Sequence, residues 1–305
     1  MMGWNLSVLE WIQSTRTPFW DGFFLAITRL GEETVLVPVF CVLFWCLHKS
    51  FGYRVSFAFF TGTFFNQLLK ITFCIPRPWM LSQLMLPVEG AVKGATGYSF
   101  PSGHVAGSTG IYGGIAWGWK KWGGRIFLWS LVLLIAYSRL YLGVHTPLDV
   151  GVSLLLGILL LAAASGVMNF AEKRKNGDVV VLLCGGAACL AGLLYTLLRT
   201  GQAEDAALYY DAFKAVGGGL GYFVAWFVET RFIRFKEKAP LWFQILKVVV
   251  GVLLLLLLQQ GLRAPFAALL GEEFGHLLRY FLVIFFAIAG FPWLFARVQK
   301  RFLPA

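Results

Sequence analysis

Three short polar clusters interrupt an otherwise apolar chain: Lys70 with Arg77-Pro78, then Pro101-Ser102-Gly103-His104, then Ser138-Arg139 with His145 and Asp149. Together they supply three fixed cations, two imidazoles and one carboxylate at the ends of apolar segments, the equipment for holding a phosphate and displacing it. The order His145-Thr146-Pro147-Leu148-Asp149 predicts a helix start, with Thr146 as N-cap and Pro147 in the first turn, where a missing N–H does no harm. Asp149 then reaches back to the Nδ1 proton of His145 and leaves Nε2 free to attack phosphorus. A capping box with Thr146 is the competing use of that carboxylate, and one carboxylate can do both.

Pro101-Ser102-Gly103-His104 reads as a turn leading into a second helix, whose free N–H groups and Ser102 hydroxyl suit an anion. Gly103 lets backbone approach the ligand, and His104 is placed to protonate a leaving oxygen. A lone histidine at a helix start is more often structural, but a second histidine and three cations weaken that reading. Lys70 near the end of an apolar span is a functional candidate because an intramembrane ammonium is expensive. Arg77 is held extended by Pro78 and can grip two phosphate oxygens, as can Arg139. A metal site of His104, His145 and Asp149 is disfavoured, since the three cations would repel a divalent ion. No cofactor is expected.

These clusters need a scaffold, and composition says which kind. Of 305 residues 58% are hydrophobic and 13% charged, which fits a polytopic membrane protein and excludes an ordinary soluble domain. The net charge of +11 does not point to nucleic acid, because the basic residues lie between apolar stretches, without basic runs interleaved with aromatics. The five cysteines lie in or beside apolar stretches and read as small hydrophobes. No basic region precedes the first apolar residues, so no cleaved signal peptide is expected.

Residues 5–15 suit a short amphipathic helix lying in the interface. Apolar stretches follow at about 34–48, 51–75, 104–119, 126–143, 147–170, 178–198, 207–229, 241–262 and 276–296, which predicts an all-α bundle of about nine spans. The first is short and could borrow from 21–31. Alternate loops carry fifteen of the 26 basic residues, among them Lys49, Lys120, Lys173, Arg231 and Arg301, and are expected to be cytoplasmic, as is the C-terminus. The opposite loops hold Glu32, Glu33, Glu89, Glu204, Asp205, Glu272 and Glu273 together with all three clusters, so the site is expected to face away from the cytoplasm.

In order and spacing, Lys70 through Arg77-Pro78, Pro101 to His104, and Ser138-Arg139 through His145 and Asp149 resemble the three-part signature of the type 2 phosphatidic acid phosphatase family, also called the lipid phosphate phosphatase and haloperoxidase superfamily. The resemblance covers about residues 17–170 and shows no departure at these positions. It implies a metal-independent phosphatase in which His145 becomes a transient phosphohistidine and Asp149 orients it. It further implies His104 as acid for the leaving group, with Lys70, Arg77, Ser102, Gly103 and Arg139 cradling the phosphate.

The expected organisation is thus an interfacial helix plus catalytic core over 1–170 and an extension of about four spans over 171–305. A membrane setting favours a lipid phosphate as substrate: phosphatidic acid, phosphatidylglycerol phosphate, a polyprenyl diphosphate or a sphingoid-base phosphate. The stretch Ser138 to His145 is similar to long-chain-base phosphate phosphatases, while an outward site suits polyprenyl carrier recycling in a bacterial plasma membrane. Phosphotransfer from a lipid to another acceptor, and a non-catalytic lipid-binding or transport role, stay open. The extension is open to three uses: a homodimer surface, a lipid entrance or a second ligand site. Gly217, Gly218, Gly219 and Gly221 favour helix packing there, and Asp211 with Lys214, like Glu272, Glu273, His276 and Arg279, favours paired interfacial charges.

Overall fold

In the computed structural model, residues 2–202 and 205–302 are described, and all their regular structure is helical, with no strand among them. Glu204 of the acidic loops lies outside the described residues. Helix α1 (Met2–Ser14) buries Leu9 and Ile12 and leaves Trp4 and Trp11 outside, as an amphipathic helix should. Helices α2 (Pro18–Arg29) and α3 (Glu33–Val42) follow, the latter continued by a π turn over Leu43–Leu47. The long α4 (Lys49–Phe73) ends at Cys74, in left-handed conformation, placing Lys70 in its last turn.

Two single turns, α5 (Pro78–Leu81) and α6 (Glu89–Val92), carry the chain across one end of the bundle. The next crossing is broken: α7 (Gly103–Ser108), a π turn over Thr109–Gly113, and α8 (Gly114–Gly118). Helices α9 (Trp122–Tyr141) and α10 (Pro147–Lys173) complete the first half. The second half comprises α11 (Gly177–Thr200), α12 (Tyr210–Val228), α13 (Leu241–Gly261), α14 (Arg263–Phe285) and α15 (Phe291–Phe302).

Every apolar stretch of the sequence coincides with helix, but the count of about nine spans is not reached. Among the described residues five helical segments are long and apolar enough to cross a membrane: α9, α10, α11, α13 and the run Arg263–Arg301, which is kinked at Gly271 (φ +76°). A sixth arises if α2 and α3–Leu47, bent by 46° at their junction, are taken as one, which is the borrowing the short first stretch invited. Helix α4 falls short because Asn66, Gln67 and Lys70 dilute its apolar face, and α12 because Asp211, Lys214 and its glycines do the same. The α7–α8 crossing is interrupted. These polar residues belong to helices packed inside the bundle, where protein and not lipid surrounds them.

Helix α4 is shared by both halves. One side packs on α7 and α10, the other on α12, where Phe60 stacks on Tyr222 with ring centroids 5.1 Å apart. Trp45, fully buried at the end of α3, donates its indole N–H to the Ala287 carbonyl at 2.9 Å. The halves therefore meet over buried aromatic surface, which leaves a cavity between them at the end bearing the polar clusters.

Candidate active site

The segment from Arg139 to Asp149 is built by two helix ends facing each other. Helix α9 stops because Gly143 takes φ +72°, and the chain folds back with Gly143 N–H donating to Leu140 O (3.0 Å) and Val144 N–H to Arg139 O (3.2 Å). That paired bonding needs a left-handed residue, which glycine supplies without strain. Three residues later Thr146 caps α10: its hydroxyl accepts from Asp149 N–H (3.3 Å) while Asp149 Oδ2 accepts from Thr146 N–H (2.8 Å). His145 is the residue pinned between the stop and the start.

Asp149 completes the capping box and also stands beside His145. Its Oδ2 lies 3.4 Å from His145 Nδ1 and also accepts from Ser99 Oγ at 2.6 Å. Arg77 Nη1 lies 2.9 Å from His145 Nε2 and 3.5 Å from Nδ1. A guanidinium has only donors, and the shorter contact assigns the lone pair to Nε2 and the proton to Nδ1, the nitrogen nearer Asp149. Burial pushes the His145 imidazole well below its usual range, and Arg77, Arg139, Lys70 and His104 push the same way. The ring is therefore neutral at ordinary pH with its lone pair facing a cation.

Arg77, extended before Pro78 as expected, is fixed by three backbone carbonyls: Nε donates to Gly97 (3.1 Å), Nη1 to Val144 (3.0 Å) and Nη2 to Thr96 (2.6 Å). Lys70 is buried and donates to the Tyr98 carbonyl at 2.6 Å. Arg139 is 1% exposed, and Nη1 donates to Thr28 Oγ1 at 2.6 Å. Its Nε and Nη2, together with Ser102 Oγ, find no hydrogen-bond partner among the described residues. Ser102 stands at the N-cap of α7, yet its hydroxyl does not cap that helix. Its carbonyl is within 3.4 Å of the Asn66 amide, and its N–H donates to Asp149 O at 3.2 Å.

All eight residues proposed from sequence converge. Lys70, Arg77, Gly103, His104 and His145 line a single cavity of about 440 Å³. Asp149 stands behind His145, Ser102 adjoins Gly103, and Arg139 is buried within electrostatic reach of His145 and Arg77. Lys70 and Arg77 line the cavity beside the two histidines, with Glu32, Glu33, Asp211 and Lys214 also on its walls, so its histidine end suits an anion with several oxygens. No three His, Cys, Asp or Glu side chains gather as metal ligands would among the described residues.

Four supporting residues escaped sequence reasoning: Ser99 on Asp149, Thr28 on Arg139, Asn66 beneath Ser102, and Thr96 under Arg77. No spacing signal could have found them, because each contact joins segments far apart in the chain. Ser138 is the converse case, since its hydroxyl is spent on its own helix at Ile135 O (2.6 Å).

Fold and site together define a multi-pass helical membrane protein with a cation-lined cavity holding two histidines. The PAP2 superfamily pattern matches residues 51–173, and the pattern of a "PAP2 superfamily phosphatase, transmembrane extension" matches residues 213–301. The chain belongs to the PAP2 superfamily and carries that extension.

Among curated relatives, the dihydrosphingosine 1-phosphate phosphatase C823.11 of Schizosaccharomyces pombe is 30% identical over 48% of this chain and 37% of its own length. The undecaprenyl-diphosphatase of Sulfolobus acidocaldarius is 28% identical over 51% of this chain and 74% of its own. The lipid A 4'-phosphatase of Bacteroides thetaiotaomicron is 29% identical over 50% and 72%. The chain thus spans little more than a third of the first relative's length and about three quarters of the other two. The crystal structure of Aquifex aeolicus LpxE is 31% identical, covering 53% of this chain and 94% of that one with a TM-score of 0.46.

Proposed function

We propose that this protein is an integral membrane lipid phosphate phosphatase that works through a phosphohistidine on His145. The observation that carries the reading is the buried His145, its Nδ1 3.4 Å from Asp149 and its Nε2 2.9 Å from Arg77, in a cavity also lined by Lys70, Gly103 and His104.

In the first step Nε2 attacks phosphorus in line as the P–O bond to the lipid breaks. His104 gives its proton to the departing oxygen, and the charge of a bound phosphate beside His104 favours the imidazolium it needs. Arg77 moves from Nε2 to phosphate oxygens, joining Arg139, Lys70, Ser102 Oγ and the Gly103 backbone. Fixed donors aimed at the equatorial oxygens are the principal source of rate in phosphoryl transfer. Asp149 holds the Nδ1 proton and offsets the positive charge that grows on the ring. In the second step water attacks phosphorus while His104 takes its proton, the N–P bond breaks with its electron pair returning to Nε2, and inorganic phosphate leaves.

The names of the relatives support a phosphate or diphosphate carried on a lipid as the substrate class. The loop charges support a site facing away from the cytoplasm, with the C-terminus inside and a core over 1–170 followed by the extension over 171–305.

The deciding experiment is phosphate release by purified wild-type and His145→Ala protein, with chelator present, from phosphatidic acid, phosphatidylglycerol phosphate, polyprenyl diphosphate and a sphingoid-base phosphate. Release from at least one lipid, lost by about a thousandfold or more in the variant, is expected. Equal release by both proteins sinks the phosphohistidine, and transfer to an added alcohol in place of water identifies a phosphotransferase.

A further inference from the structure

The cavity that holds the histidines does not end at them. Beyond the phosphate end it continues between α3–α4 and the extension, and its walls turn apolar: Phe59 and Phe60 on one side, Leu255 and Leu256 of α13 and Ile284 of α14 on the other. Between the charged end and the apolar end stands a collar of Glu33, Asp211, Lys214 and Tyr280. Asp211 accepts from Lys214 Nζ at 2.6 Å and from Thr96 Oγ1 at 2.8 Å, and the Thr96 carbonyl accepts from Arg77 Nη2. The extension is thereby bonded, through one residue, to the guanidinium that faces His145.

The glycines of α12 divide by what they meet. A Cβ on Gly217 would run into the Leu277 carbonyl, and one on Gly221 would lie 2.6 Å from the Phe281 carbonyl, so both serve the tight contact with α14. A Cβ on Gly219 would lie 2.9 Å from Cys189 Sγ. Gly218 differs: it lines the cavity, and its Cβ would meet only Ile284 Cγ1 at an ordinary 3.8 Å. Packing does not require glycine there. Its absent side chain leaves space in the channel.

We propose that the extension forms half of the substrate site: the hydrocarbon chain of the lipid phosphate lies between α3–α4 and α12–α14, passing Gly218, with the collar at its junction with the headgroup. This rests on the phosphatase reading and deepens it, because it says why the catalytic half is joined to further helices. The occupant follows from continuity, since an apolar channel opening onto a phosphate site fits an alkyl chain attached to that phosphate. A cavity of this size holds a headgroup and the first part of a chain, the range usual for lipid-sized ligands.

Two measurements test it. A long-chain alkyl phosphonate bearing a diazirine in the first part of its chain, which no phosphatase cleaves, is photolysed with the wild-type protein and mapped by peptide mass spectrometry. Labels on α13 and α14 around Leu256 and Ile284 are expected, and labels confined to residues before 171 overturn the proposal. This readout does not depend on turnover, so labelled helices in a protein that releases no phosphate would refute the phosphatase reading and leave the channel standing.

The second compares Gly218→Leu with Gly218→Ala on a long-chain and a short, water-soluble alkyl phosphate. The leucine should lower kcat/KM for the long chain about tenfold or more and leave the short ester within about twofold. Alanine, which the protein neighbours admit, should lower the long-chain value less than leucine does. An equal fall for both esters, or no fall for either, counts against the channel. If the leucine variant fails to fold, Ile284→Trp on the facing helix takes its place with the same expectations.

Discussion

Buried charge occurs at both ends of this bundle, and the two clusters are put together differently. At the end carrying the basic loops, Lys49 pairs with the fully buried Glu229 at 3.2 Å and donates to Phe235 O at 2.7 Å, while Glu229 also accepts from Phe235 N–H at 3.1 Å. Lys247, 2% exposed, donates to Trp45 O and Glu237 O at 2.9 and 3.0 Å and lies 4.6 Å from the Phe295 ring centre. One oxygen of Glu229 is the sole unpaired atom among these side chains. At the histidine end Lys70, Arg77 and Arg139 donate to backbone carbonyls, His145 and Thr28 and to no carboxylate among the described residues, and three donor atoms on Arg139 and Ser102 are bare. Satisfied buried charge fixes a fold, whereas unsatisfied buried charge of one sign is held in readiness for a ligand.

The sharpest way to break this comparison is at the carboxylate beside His145. Asp149→Asn keeps the shape but can no longer favour the Nδ1–H tautomer, and kcat should fall on the order of a thousandfold or more. The melting temperature should move little, because an amide oxygen still accepts from Thr146. A full-rate Asp149→Asn enzyme would reduce Asp149 to its capping role.

Next come two substitutions that should have opposite consequences. Glu229→Ala strands Lys49 and should destabilise the protein by about 3 kcal/mol, with turnover per folded molecule unchanged. Arg139→Met removes a like-charged, partly unpaired cation and should leave stability unchanged or raised, while turnover drops about a hundredfold. Thermal melts and phosphate release on both variants decide it, and a destabilised Arg139→Met protein would make that end structural as well.

The smallest effect concerns acid. Because burial and neighbouring cations hold the His145 pKa below its ordinary value near 6.5, the unfolded chain takes up a proton there that the folded one refuses. Its contribution to stability is complete above about pH 6.5 and declines as pH falls towards the depressed folded value. The wild type should therefore lose more melting temperature than His145→Ala between pH 7.5 and 5, and parallel losses would contradict a neutral buried ring.

Much of the site was legible because its parts are local. Thr146, Pro147 and Asp149 specify a capped helix start by spacing alone, so the pose of His145 against Asp149 could be drawn from five residues. Arg77 before Pro78 could only be extended. The supporting contacts were not legible, since Ser99 reaches Asp149 and Thr28 reaches Arg139 only after separate helices have packed. The span count fared worst for a related reason. Hydropathy does not tell a helix whose polar residues face a protein interior from one that faces lipid, and α4 and α12 are of the first kind.

Composition and local spacing specify an apolar, all-helical chain, the seven polar candidate residues with Gly103, and their division among three clusters, because each rests on composition or on near neighbours in the chain. The tertiary structure decided what those residues face. Only the packing of α12, α13 and α14 against α3 and α4 encloses the cavity beyond His145 and turns Gly218 away from helix contact. Whether a glycine packs a helix or opens a channel depends on what lies opposite it, and that is not written in its neighbours.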